Sequence, residues 1–271
     1  MGRRLSCLAG LQAVPLSDRP FAEKVALVTG SSRGIGRAIA VRLAQAGADV
    51  IVNYRVREEE ARATAAAVER AGAKAFLVQA NMADPADIDR LFAAVREGPG
   101  ALDFLVCNAA AGHQGTMLEA SLKSWDLAMN VNARSYLLCA QAAFPLLKER
   151  GHGRIIAVTA KIATERAFPF YGTVAASKAA INTLTAYLAV EFGPHGISVN
   201  AISPGLVDTE ALAYFREGPA LMERARTSTP SGRPTGVTDV AELAAFLCSE
   251  AAGQINGQVL EIDGGYTKVF L

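Results

Sequence analysis

An excess of charge of either sign is missing from this chain. Its 271 residues carry 27 Lys and Arg against 26 Asp and Glu, a net charge of +1. A nucleic-acid binder working by phosphate neutralisation would show a basic surplus. Cysteine is sparse as well. Cys7, Cys107, Cys139 and Cys248 stand far apart with no Cys-x2-Cys or Cys/His spacing, which argues against a disulfide framework or a zinc site. Three histidines in the whole chain make metal catalysis a poor expectation. No run is apolar and long enough to span a membrane: Leu5 to Leu16, behind Arg3-Arg4, is broken by Gln12 and Pro15 and falls short of the ~20 residues required. Residues 1–20 therefore read as a terminal extension. Internal repeats and low-complexity segments are also lacking. What remains is a composition that is 51% hydrophobic, enough for a sizeable core. The expectation is a cytoplasmic enzyme without nucleic-acid or membrane partners.

From Lys24 onward, short apolar runs alternate with longer amphipathic ones. Val25 to Val28 predicts a first strand ending at Thr29-Gly30, and Arg37 to Ala46 a helix stopped by Gly47. Strands follow at Val50-Ile51-Val52, Ala75 to Val78 and Phe104-Leu105-Val106, with helices at Glu58 to Ala71 and Asp87 to Arg96 between them. A long helix near Trp125 to Lys148, a strand at Arg154 to Val158, a helix at Thr173 to Phe192 and a strand at Ser198 to Ile202 continue the pattern. An irregular stretch from Pro204 to Pro234 leads to a helix at Asp239 to Ser249 and a last strand at Gln258 to Ile262. Strands that are apolar throughout, each separated by a helix, predict an α/β fold. Its form is one doubly wound parallel sheet of about seven strands, over residues 21–271.

Thr29-Gly30-Ser31-Ser32-Arg33-Gly34-Ile35-Gly36 lies between the first strand and the first helix. Glycines there allow a tight turn and let backbone N–H groups approach a pyrophosphate at a helix N-terminus. Gly30, Ser32, Arg33, Gly34, Ile35 and Gly36 are thus candidate cofactor residues. The second strand ends Asn53-Tyr54-Arg55, with no carboxylate where an NAD site holds the ribose 2′-hydroxyl; the acidic run Glu58-Glu59-Glu60 lies beyond. Arg55 and Arg33 instead suit a 2′-phosphate, which Arg binds through paired N–H donors, with Tyr54 beside them. The expected cofactor is NADPH.

With these residues in view, the chain from about Phe21 to Lys268 resembles the short-chain dehydrogenase/reductase superfamily, whose fold is of Rossmann type. The resemblance rests on the glycine loop, Cys107-Asn108-Ala109-Ala110, Asn132 in Asn130-Val131-Asn132, Tyr171 with Lys178, Pro204-Gly205, and Asp263-Gly264-Gly265. It implies that Asn108 supports the central strand and the cofactor, that Pro204 and Gly205 border the nicotinamide, and that Val207 and Thr209 lie at the cofactor, Thr209 at its carboxamide. It also implies that Asn81 and Met82 stand beside the adenine, that Asn132 belongs with Tyr171 and Lys178 in the catalytic set, and that the protein assembles as a homotetramer.

The active-site segment departs from the usual Tyr-x3-Lys. Tyr171-Gly172-Thr173-Val174-Ala175-Ala176-Ser177-Lys178 puts Val174 at the expected tyrosine, so the tyrosine–lysine spacing becomes Tyr-x6-Lys. Thirteen residues before Val174, Lys161 replaces the usual serine. If the helix reaches Tyr171, that hydroxyl is moved one turn, ~5 Å, along the site. The oxygen of an α,β-unsaturated thioester lies two carbons from the Cβ that accepts hydride, so a displaced donor suits conjugate reduction better than ketone reduction. On this reading Tyr171 stabilises the enolate, while Lys178 lowers the tyrosine pKa and holds the ribose.

The same spacing, with Asp208-Thr209-Glu210-Ala211-Leu212 and Thr229-Pro230-Ser231-Gly232-Arg233, resembles NADPH-dependent enoyl-acyl-carrier-protein reductase III and related enoyl-CoA reductases of specialised metabolism. Lys161 is offered as a ligand for a substrate carboxylate, phosphate or enolate, against an amine directed to solvent. Thr159 is a less favoured replacement for the serine hydroxyl. Phe168, Phe170 and Tyr171 either wall an acyl pocket or pack in the core, and Tyr214, Phe215, Leu221 and Met222 either form an apolar lid or pack as a helix. The leading expectation is an enoyl-thioester reductase acting on a small acyl thioester of CoA or acyl-carrier protein. A 3-oxoacyl or other carbonyl reductase, and a catalytically inactive NADPH sensor, are the alternatives.

Overall fold

Short runs of aliphatic residues with no polar alternation need cover on both faces, and the chain provides it from both sides. The structure, a computed structural model, describes residues 19–213 and 218–269; the extension up to residue 18, with Cys7 and Arg3-Arg4, lies outside the described residues, as do Tyr214 and Phe215. The order is β1 (Val25–Val28), α1 (Gly34–Gln45), β2 (Asp49–Tyr54), α2 (Glu58–Arg70), β3 (Ala75–Gln79), α3 (Pro85–Glu97) and β4 (Phe104–Cys107). Then come α4 (Leu122–Ala128), a π-helical turn (Met129–Arg134), α5 (Ser135–Arg150), β5 (Arg154–Val158), α6 (Lys161–Glu165), α7 (Gly172–Phe192) and β6 (Ser198–Pro204). The chain continues through α8 (Glu210–Ala213), α9 (Gly218–Ser228), α10 (Val237–Cys248) and β7 (Val259–Ile262).

The seven strands form one parallel sheet in the order β3-β2-β1-β4-β5-β6-β7. Period-two alternation divides each strand between two cores. In β1, Ala26 and Val28 join Ile39, Leu43 and Val240 of α1 and α10, whereas Val25 and Leu27 join Leu91, Phe92, Tyr136, Leu147 and Ile181 of α3, α5 and α7. Each fully buried Leu or Ile contributes about 1.5–3 kcal/mol of apolar burial, and neither face is left to solvent. The fold is the doubly wound sheet that the strand pattern predicts.

Three local expectations need correction. The first helix begins at Gly34 rather than Arg37, so the glycine loop runs directly into it. The long helix expected near Trp125 to Lys148 is two helices joined by the π turn that carries Asn132. The stretch from Pro204 to Pro234 is not irregular throughout, because it holds α8 and α9.

At the N-terminal end of β4, Asp103 is completely buried and satisfied on both oxygens. It accepts the Val25 N–H at 2.9 Å and pairs with Arg150 Nε at 2.9 Å, with Lys24 Nζ and His152 Nε2 at 3.3 Å. Its own N–H donates to the Val25 carbonyl, so the side chain and backbone together fasten β1 to β4. Replacing Asp103 by Ala leaves a buried N–H without its acceptor and strips the cations of their anion. The expected cost is about 3 kcal/mol, read as a lowered urea midpoint with unchanged slope.

Candidate active site

The sheet order reverses between β1 and β4: β1 is followed outward by β2 and β3, β4 by β5, β6 and β7. Chains leaving the carboxyl ends of these two strands diverge to opposite faces and open a crevice, where ligands bind in such sheets. The glycine loop turns there through left-handed backbone at Gly30 (φ 62°) and Gly34 (φ 56°). A Cβ on Gly36 would lie 2.5 Å from the Gly30 carbonyl and overlap Asn108 Nδ2. No side chain caps α1 and its first turn carries no acid, so the positive end of the helix is not neutralised locally.

Two polar side chains fix the loop. Thr29 Oγ1 accepts the N–H groups of Asn108 and Ala109, each at 3.0 Å, and Asn108 Nδ2 donates to the carbonyls of Thr29 and Gly30, also at 3.0 Å. Asn53, buried at the end of β2, accepts the Gly30 N–H at 3.0 Å and donates to Ala80 O at 3.2 Å.

Above the loop lies a cavity of about 740 Å³. Every residue offered above for the cofactor lines it: Gly30, Ser32, Arg33, Gly34, Ile35 and Gly36 of the loop, Tyr54 and Arg55 after β2, and Asn81 and Met82 after β3. The others are Asn108, Lys178, and Pro204, Gly205, Val207 and Thr209 after β6. A backbone cradle without room for a Cβ, an uncapped helix N-terminus and guanidinium groups at the far end match the pyrophosphate and ribose of a nicotinamide dinucleotide.

Phe168, Pro169, Phe170 and Tyr171 also wall the cavity, as do Leu206, Leu212, Leu221 and Tyr266. Tyr171 is the N-cap of α7, not a residue within it. Its carbonyl accepts the Ala175 N–H at 2.9 Å while its own backbone (φ −109°, ψ 5°) leaves the helix. The preceding Phe170 stands at φ 63°, a conformation unusual for an aromatic residue, and its carbonyl accepts the Gly115 N–H at 3.1 Å. Burial pushes the Tyr171 hydroxyl up to about 12. Lys178 is buried and donates to the Val158 carbonyl at 2.7 Å, and burial brings its amine down to about 8. The expected lowering of Tyr171 by Lys178 is thus corrected: desolvation dominates and the phenol is held protonated.

The remaining candidates take other places. Asn132, buried in the π turn, donates to Ala111 O at 3.0 Å and Ser177 Oγ at 2.8 Å and accepts the Ala111 N–H at 2.9 Å. It positions the loop after β4 against α7 and does not line the cavity. For Lys161 the structure places the amine as in the second alternative, directed away from the site. Its amine reaches Glu165 at 3.5 Å and Glu261 of β7 at 3.7 Å, outside the cavity, although its neighbours Ala160 and Ile162 line it. Thr159 lines the cavity, but its hydroxyl donates to Asn182 Oδ1 at 2.7 Å. Val174 is buried, pressed against Gly112. Met222 packs with Ala225 and Tyr266, whereas Leu221 faces the cavity. Sequence reasoning assigned no part to Asn53, Arg57 or Glu210, all of which line the cavity; only the proximity of Arg57 to Arg55 hinted at one of them.

The sequence model of the family described as enoyl-(acyl carrier protein) reductase matches residues 30–267. The chain belongs to this family, within the short-chain dehydrogenase/reductase superfamily of oxidoreductases. It is 39% identical over 248 residues to the 1-cyclohexenylcarbonyl-CoA reductase of Streptomyces collinus, covering 91% of this chain and 88% of that one. To the 3-oxoacyl-[acyl-carrier-protein] reductase FabG of Staphylococcus aureus it is 34% identical over 242 residues, covering 89% and 97%. A short-chain dehydrogenase from Burkholderia cenocepacia, solved in complex with NADP, superposes with a TM-score of 0.85 at 38% identity over 93% of this chain and all of that one.

Because the Lys161 amine is engaged by two carboxylates outside the cavity, Lys161→Ala is expected to leave kcat and KM for a reducible substrate within about twofold, as surface pairs carry little energy. A tenfold rise in KM in steady-state assays would place the amine at the substrate after all.

Proposed function

We propose that this protein is an NADPH-dependent reductase of the carbon–carbon double bond of an enoyl thioester. The observation that carries the reading is Tyr171 at the cavity wall with its hydroxyl held protonated, while the positions that serve ketone reduction elsewhere in the superfamily hold Val174 and an averted Lys161. A phenol pushed up to about 12 is a hydrogen-bond donor at neutral pH and a poor acid. Such a donor stabilises negative charge developing on a thioester oxygen without giving up its proton. When bound, NADPH would supply the hydride to Cβ, and a proton taken from solvent at Cα would complete the reduction.

The chain's residues have distinct tasks. Tyr171 donates to the thioester oxygen. Lys178, fixed on the Val158 carbonyl, directs its remaining N–H donors to the cofactor ribose. Asn132 holds the loop through Ala111, which borders the cavity. Phe168, Phe170, Leu206, Leu212 and Leu221 exclude water and receive the acyl chain. Arg33 and Arg55 hold the 2′-phosphate. The acyl carrier is CoA or acyl-carrier protein, in fatty-acid or specialised metabolism, and the protein works in the cytoplasm as a homotetramer. Exposed Leu122 and Trp125 of α4 and Tyr187 and Val190 of α7 support self-association. The Streptomyces relative, named for reduction of an unsaturated acyl-CoA, supports the choice of bond. The Staphylococcus relative keeps 3-oxoacyl reduction as the second reading.

NADPH oxidation with crotonyl and acetoacetyl thioesters distinguishes them. Turnover of the first alone is the expected result; turnover of acetoacetyl thioester alone favours the second reading, and NADPH binding without either favours an inactive sensor. Tyr171→Phe keeps the ring, so folding and NADPH binding persist while kcat falls by about 10²–10³. Near-normal kcat in the variant would refute the role of Tyr171. Replacing Arg33 and Arg55 together by Ala is expected to weaken NADPH binding by about tenfold or more, with NADH far less affected. Equal losses in a fluorescence titration would remove the 2′-phosphate assignment.

A further inference from the structure

We infer that Glu210 is an internal competitor for the 2′-phosphate and sets how strongly the protein prefers NADPH over NADH. The inference rests on the reading that Arg33 holds that phosphate. Arg33, Arg57 and Glu210 line the same cavity, though they come from three separate segments: the glycine loop, the start of α2 and the chain after β6. Arg33 Nη1 donates to Glu210 Oε2, and Arg57 Nη1 lies 3.5 Å from the same oxygen. One carboxylate therefore bridges two of the guanidinium groups at the end of the cavity expected to receive an anion. The adjacent Thr209 lies close to the glycine loop, its Cγ2 3.7 Å from where a Cβ on Gly34 would stand.

A carboxylate and a phosphate present the same feature to an arginine, two oxygens that accept parallel N–H bonds. A 2′-phosphate, close to doubly ionised at neutral pH, must displace Glu210 from Arg33 or share the guanidinium with it against like-charge repulsion. NADH brings a neutral 2′-hydroxyl to the same place and meets neither cost. Arg57 does not lose its anion if Glu210 moves, since Glu60 Oε1 accepts from it at 2.8 Å. The carboxylate can therefore be displaced without stranding both arginines. Glu210 thus lowers affinity for the phosphorylated cofactor selectively, and the discrimination of the wild-type protein is the remainder after this competition.

The test is Glu210→Gln in the full chain, an exposed substitution that preserves size. Direct titrations use NADPH, NADH and adenosine 2′,5′-bisphosphate, the last carrying the phosphate without the nicotinamide. The expected result is about three- to tenfold tighter binding of NADPH and of the bisphosphate, with NADH within twofold. The gain should vanish when Arg33→Ala is already present. Equal changes for NADPH and NADH, weaker NADPH binding, or a gain that persists without Arg33 would each overturn the inference. If Arg33→Ala alone leaves the wild-type preference for NADPH untouched, the assignment of the phosphate to Arg33 has failed instead, and the two failures are told apart.

Discussion

The hydrogen bonds between Thr29 and Asn108 are the constraint on which the site depends. They join the ends of β1 and β4 where the following chains separate to opposite faces, so the crevice cannot close by the strands sliding. Asn108 also takes the Gly30 carbonyl, so the loop that cradles the cofactor is tied to the neighbouring strand as well as to its own. The same group explains why Gly36 has no side chain, since a Cβ would overlap Asn108 Nδ2. Sheet order, loop shape and helix position are thus one arrangement.

Desolvation sets the protonation of the two titratable groups at the Tyr171 end of the cavity. Burial moves Lys178 toward neutrality and Tyr171 away from ionisation, so each group drifts toward its uncharged form. At the opposite end, arginines and carboxylates are partly exposed and neutralise each other in pairs. One cavity therefore combines groups held uncharged around Tyr171 and Lys178 with permanently charged groups around Arg33, Arg57 and Glu210.

Much of this was legible in the sequence because it rests on local pattern. Continuous apolar strands and a glycine loop after the first of them specify the sheet and the pyrophosphate cradle without knowledge of any distant contact. The residues picked for the cofactor line one cavity because strand ends in such a sheet all reach the same edge. The place of the Lys161 amine was not legible for the opposite reason. Its backbone lies where a serine would face the cavity, but a long side chain goes where its partners are, and Glu261 lies 100 residues away on β7. Glu210 was overlooked on similar grounds, as its contacts with Arg33 and Arg57 cross most of the chain. The π turn was missed because its residues carry the same apolar periodicity as the helices on either side.

That turn has a consequence for how the site tolerates change. A π turn holds one residue more than the α-helical turn it replaces, and each residue of an α-helix accounts for about 100° of rotation. Because the wider turn takes up that extra residue, deleting one residue from Met129–Arg134 would restore continuous α-helix with α4 and α5 in the same phase, and only the side chains within the turn would be re-aimed. Asn132 would leave Ser177 and Ala111, while the exposed Leu122 and Trp125 of α4 would keep their side of the molecule. A single surplus residue therefore aims an interior amide while leaving the exterior apolar face of the preceding helix where it was.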